Sequence, residues 1–158
     1  MSATRWLSDD EQRAWRAYLE ATNLLFDALD RQMQQDSDMP HAYYEILVRL
    51  SESPERSMRM SELAIATRSS RSRLSHAVAR LEERGWVERV ECPTDRRGQV
   101  AHLTDQGFAT LAAAAPGHVE MVHRHVVDPL TPEQIKQLAE IGEAIVAGLE
   151  TCSPDDGE

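Results

Sequence analysis

The densest chemistry in the sequence lies between positions 68 and 81. Four arginines (68, 71, 73 and 80), serines 69, 70, 72 and 75 and His76 occur there with no carboxylate among them. A guanidinium fork matches phosphate oxygens and the O6/N7 edge of guanine, while hydroxyl and imidazole groups bond single base edges, so this mixture suits a nucleic-acid surface. Helical spacing sorts the run into two faces. At about 100° per residue, Leu74, Ala77, Val78 and Leu81 fall on one arc, and Ser72, Arg73, Ser75, His76, Ala79 and Arg80 face away from it. Small serines and alanine let such a helix approach base edges closely. Glu82 and Glu83 stand at the far end, which lifts out of the groove when a recognition helix docks. The candidate DNA contacts are therefore Ser70, Arg71, Ser72, Arg73, Ser75, His76 and Arg80. Arg71 and Arg73, at the helix start, reach deepest, whereas Arg80 lies nearer the backbone; which of the first two reads a base stays open.

The charge of the whole chain points the other way. Net charge over 158 residues is −10, which by itself argues against a polyanionic partner. The distribution reverses that argument, because positions 56–99 hold ten arginines against six acids. With screening over about 8 Å at physiological salt, a local basic patch acts on its own surroundings whatever the global sign. Two cysteines, Cys92 and Cys152, make no disulfide framework and no metal-type pair. Cys92 sits beside Glu91, which disfavours its thiolate. No apolar run approaches the roughly 20 residues that span a bilayer, and the first residues lack a signal-peptide layout, so a cytoplasmic protein with no membrane partner is expected. His118, His123 and His125 share one segment, but their spacings miss the i, i+4 pair of a helical zinc site, and neither metal nor cofactor is expected. No GxSxG, P-loop, HExxH or GxGxxG motif occurs, which speaks against an enzyme.

The elements that must position the basic face follow from periodicity and caps. Residues 8–36 read as one helix with Ser8 and Glu11 as a capping box and an apolar stripe through Trp15, Tyr18, Leu19, Leu25, Phe26, Leu29 and Met33. At about 1.5 Å per residue it is roughly 43 Å long, more than a small domain covers alone, so part of it is expected against another chain. A second helix spans 40–52, with Tyr44, Leu47, Val48 and Leu50 inward. A short helix at 61–67, capped by Ser61, and the helix at 71–84, ended by Gly85, flank a Thr/Arg/Ser turn. That pair is a helix-turn-helix. Strands at 86–91 and 99–103 with a charged tip at 92–98 make a wing over 86–103. Thr104 caps a helix to about 128 that Pro116-Gly117 should bend, and Thr131-Pro132-Glu133 starts a last helix to about 150 with Ile135, Leu138, Ile141, Ile145 and Leu149 on one face. The fold class is mainly α (α+β), a winged helix-turn-helix over 40–104 between dimerisation helices at 8–36 and 105–150. The polar residues 151–158 are expected to be a disordered tail.

The run Ser61-Glu62-Leu63-Ala64, then Ser70 to Ser75 and Val78 to Val87, followed by Asp95-Arg96-Arg97-Gly98 and Leu103-Thr104, resembles the MarR (multiple antibiotic resistance regulator) family. The resemblance covers roughly 5–150. It implies a homodimeric transcriptional regulator, usually a repressor, reading an inverted repeat in double-stranded DNA. By the family pattern Arg97 enters the minor groove, Asp95 orients it and Arg96 meets phosphate. A small aromatic or lipophilic effector is implied where the dimer helices meet the winged region, with Trp15, Leu19, Phe26, His41, Tyr43 and Tyr44 as candidate lining. His41 could approach the histidine-bearing helix, as in the family's zinc-sensing branch. Peroxide-sensing relatives carry a cysteine near the start of the first helix, where this chain has none. Two other readings are a ligand-independent architectural DNA-binding protein and a metal-sensing regulator.

Overall fold

The computed structural model describes residues 4–92 and 95–150, without the side chains of residues 92 and 95–97. Its elements in chain order are α1 (Asp9–Ser37), α2 (His41–Glu52), β1 (Ser57–Arg59), α3 (Met60–Ala66), α4 (Arg71–Glu83), β2 (Val87–Cys92), β3 (Asp95–Leu103), α5 (Asp105–Val122) and α6 (Pro132–Glu150). The expected mainly α winged helix-turn-helix is present. Among the described residues no helix is long and apolar enough to cross a membrane. Residues up to His118 form one compact unit and those from Val119 on a second.

Caps set the helix borders in the first unit. The Ser8 hydroxyl accepts from the Glu11 N–H at 3.3 Å, and the Glu11 carboxylate accepts from the Ser8 N–H at 2.8 Å. These bonds hold the Glu11 carboxyl below its ordinary value. α1 ends at Asp38, which takes left-handed φ 48 and receives the Arg84 guanidinium on its carbonyl at 2.6 Å. α2 borrows its cap from α1: the His41 N–H donates to the Asp30 carboxylate at 2.9 Å, fixing how the two helices meet.

The helix-turn-helix closes around a leucine-rich core. Met33, Met39, Leu47, Leu50, Leu63, Leu74, Val78, Leu81, Val87 and Leu103 are fully buried, drawing α1 to α4 and the sheet onto one centre. Ser61 is not the cap of α3, a correction to the sequence reading. The helix starts one residue earlier, after Arg59, with no side-chain cap. The turn passes through Arg68 at φ 51, and Ser70 then caps α4 by accepting from the Arg73 N–H at 3.2 Å. At the other end Gly85 stands at φ 73, with its N–H on the Glu82 carbonyl and the Trp86 N–H on that of Leu81, a Schellman stop.

The wing is larger than alternation alone revealed. β2 and β3 extend to Cys92 and Asp95, so pairing consumes most of the expected tip, and residues 93–94 lie outside the described residues. A third strand, β1, pairs with β3 to give the order β1-β3-β2. Three residues, Ser57-Met58-Arg59, carry too little periodicity to announce a strand. Thr104 locks the sheet to the next helix: its hydroxyl donates to the Gly85 carbonyl at 2.7 Å and accepts the Gly107 N–H at 3.0 Å. Gly107 is required by proximity, since a Cβ there would collide with the Trp86 carbonyl and stand 2.7 Å from Leu103 Cδ1.

α5 runs on through Pro116 and Gly117 as one helix. A Cβ on Gly117 would come within 2.8 Å of the Gln32 amide, so the glycine admits a close approach to α1. The irregular turn comes later, as one π-helical stretch over His123–Val127. In the second unit α6 begins with another capping box, Thr131 with Gln134. No residue of α6 is buried, and Leu138, Ile141, Ile145, Val146 and Leu149 lie exposed along it.

Candidate nucleic-acid interface

The α4 wheel holds in three dimensions. Leu74, Val78 and Leu81 are buried, while Arg71, Ser72, Arg73, His76 and Arg80 are exposed and Ser75 and Ala79 are half-buried. Ser70 spends its hydroxyl oxygen on the cap. Arg59 and Arg71 share a cleft of about 350 Å³ with Ser61, Ser75, Gly98 and Gln99, where α4 meets the base of the wing. A duplex lying across α4 would pass this basic notch.

The two ends of the face differ electrostatically. Arg71 and Arg73 are exposed at the helix start, whereas Arg80 donates to Glu83 at 2.9 Å, which raises the guanidinium's proton affinity and offsets part of its field. Glu82 is also engaged. It pairs with Arg89 of β2 at 3.1 Å and accepts the Arg89 backbone N–H at 3.0 Å, while the Arg89 guanidinium donates to the Ser75 carbonyl at 2.8 Å. Arg89 thus ties the wing to the middle of α4. The sequence reading missed it, because a strand residue reaching a helix carbonyl leaves no local pattern. Asp95, Arg96 and Arg97 belong to β3, and the roles read for their side chains lie outside the described residues.

The six residues expected to line an effector pocket separate. Phe26, His41 and Tyr44 border a cleft of about 490 Å³ together with Glu45, Val48, Arg49, Glu52 and His118. Tyr43 faces a different cleft, beside Arg80, Glu83 and Arg84. Trp15 stacks on Tyr18 with ring centroids 6.2 Å apart, and both, like Leu19, are exposed on α1. His118, considered in sequence only as a metal ligand, lies against His41 at 5.4 Å between ring centroids. Among the described residues no three His, Cys, Asp or Glu side chains are grouped to hold a metal ion. Burial pushes both histidines below their usual value, and His41 pushes His118 further.

A capped, basic helix backed by a three-stranded wing defines the winged helix-turn-helix class of nucleic-acid-binding modules. The MarR family model matches residues 37–98. The structure is similar to Sco3205, a MarR family transcriptional regulator from Streptomyces coelicolor determined in complex with DNA, with TM-score 0.91 and 55% identity over 98% of this chain and 95% of that one. It is similar also to AbsC, another MarR family regulator from Streptomyces coelicolor, with TM-score 0.89 and 45% identity over 94% and 99% of the two chains. The transcriptional repressor MprA of Escherichia coli K12 is 30% identical over 109 residues, 69% of this chain but only 61% of the repressor's own length. This chain belongs to the MarR family. The relatives named here are transcriptional regulators and not enzymes, in agreement with the sequence reading.

Proposed function

We propose that the chain is a homodimeric DNA-binding repressor of the cytoplasm whose hold on an inverted-repeat operator is released by a small aromatic or lipophilic effector. The observation that carries this reading is the exposed α4 face, where Arg71, Ser72, Arg73 and His76 stand free of the core on a helix capped at Ser70. Sco3205, bound to DNA, supports it. In this reading α4 enters the major groove. Arg97 enters the minor groove, Asp95 orients it and Arg96 meets phosphate. The dimer helices are α1 and the region 105–150, whose apolar side chains are too exposed for a monomer. The effector site is the cleft of Phe26, His41 and Tyr44.

Selection of duplexes from a random pool tests the core of the proposal. The expected product is an inverted repeat with half-sites about 10 bp apart. Binding to all duplexes alike would instead favour an architectural protein.

A further inference from the structure

α4 ends at a crossing of several elements. Arg84, its C-terminal cap residue, donates to the Asp38 carbonyl at 2.6 Å, and a second guanidinium nitrogen lies 3.6 Å from the Asp38 carboxylate. Asp38 is the left-handed residue that ends α1, so its carbonyl stands beyond the last helical turn, where no helix N–H reaches it. A charge-assisted donor suits such an oxygen. Gln34 of α1 holds the same residue from its own side, its amide donating to the Asp38 carboxylate at 3.0 Å. The Arg84 guanidinium also lies over the Trp86 ring at 4.9 Å, next to the start of β2, and the Gln106 amide of α5 donates to the Arg84 carbonyl at 3.5 Å. Arg80 and Glu83 pair with each other. One residue thus joins the end of α4 to α1, to α5 and to the root of the wing.

We propose that Arg84 is a positioning residue that sets which operator spacing the protein accepts, by fixing the angle of α4 against the helices of the dimer region. The inference rests on reading the chain as a dimer on an inverted repeat. At ~1.5 Å per residue α4 is about 20 Å long, and Arg84 holds the end opposite Arg71 and Arg73. A tilt of about 10° at the held end moves the start of a helix of that length by about 3.5 Å, close to the rise of one base pair, about 3.4 Å. In a two-fold dimer both copies tilt, so a small slack at each suffices. One base pair more or less at the operator centre shifts a half-site by that rise and turns it by about 35°. A firmly held α4 rejects such a site, and a loose one rejects it less. Arg84 touches neither base nor phosphate in this account.

Competition binding tests this, with the full chain, the duplex it selects from a random pool, and versions of that duplex with one base pair added or removed at the centre. The unsubstituted protein should prefer its own spacing by about tenfold or more, and R84Q should narrow that ratio to about threefold or less. The salt slope should stay as it was, because no phosphate contact is lost. R84K keeps the charge without the planar fork and should loosen the spacing in smaller measure, which decides the matter if R84Q folds poorly. D38N keeps the carbonyl and suits the left-handed backbone, and should retain the full ratio. An unchanged ratio in both Arg84 variants would overturn the inference and leave the dimeric reading intact. So would equal weakening of every spacing by R84Q with a flatter salt slope, which would make Arg84 a phosphate contact. An unsubstituted protein that binds every spacing alike would overturn both readings.

Discussion

At the scale of single residues, position along α4 decides what each arginine does. Arg73 is exposed at the start of the helix, so R73A should cost about 1–3 kcal/mol on a specific duplex and relax preference at one symmetric pair of positions. Arg80, already shared with Glu83, is proposed as the contact nearer the DNA backbone, and R80A should then weaken specific and scrambled duplexes alike with a slightly flatter salt slope. Equal losses for both variants on both duplexes would contradict the assignment. Gly107 makes a stability prediction: G107A must push the Trp86 carbonyl aside and should lower stability by at least about 2 kcal/mol in chemical denaturation. The two histidines make another. Their lowered folded values mean the unfolded chain binds more protons just below their ordinary range, so stability is present above that ordinary value and is lost as pH falls from there through the lowered folded values. Thermal melts should fall on acidification, and less so in an H41F/H118F double variant. Faces of this kind were legible in sequence, because an exposed basic arc obeys local periodicity. The pairing of His41 with His118, 77 positions apart, was only glimpsed, since nothing local links a helix start to the middle of another helix.

Among the elements, caps and stops were the most legible features. Ser8, Gly85, Thr104 and Thr131 all act where hydrogen-bonding chemistry and αL geometry place them. Ser61 did not, because α3 begins on a strand residue whose backbone is already paired in the sheet. The strand β1 escaped for the same reason: its existence depends on β3 rather than on its own three residues. The contact between β2 and α4 is the one to test. R89Q removes the charge that pairs with Glu82 and reaches the Ser75 carbonyl, and should cost about 1–3 kcal/mol of folding stability. It should also weaken specific DNA binding with the R97A contribution largely lost, which a double-mutant cycle against R97A measures. Full additivity would mean that wing and helix bind independently.

For the whole molecule, the decisive property is unsatisfied apolar surface. Trp15 is 51% exposed, Leu24 61% and Leu149 65%, and each belongs to a helix whose neighbours along the same face are also uncovered. Sedimentation at micromolar concentration should show a dimer, and a stable monomer would contradict the reading. Sequence periodicity revealed these stripes but not which of their members the chain buries itself, such as Leu29 and Met33. The Arg89 tie has a further consequence at this scale. If α4 is the recognition helix, a wing fastened to its middle has little freedom to widen or narrow its reach to suit a duplex. If major and minor grooves are gripped together, the DNA must supply the accommodation. Base pairs lying between the two grips, touched by no side chain, would then be chosen for how cheaply they bend and twist, and pyrimidine–purine steps there should bind better than a stiff A-tract.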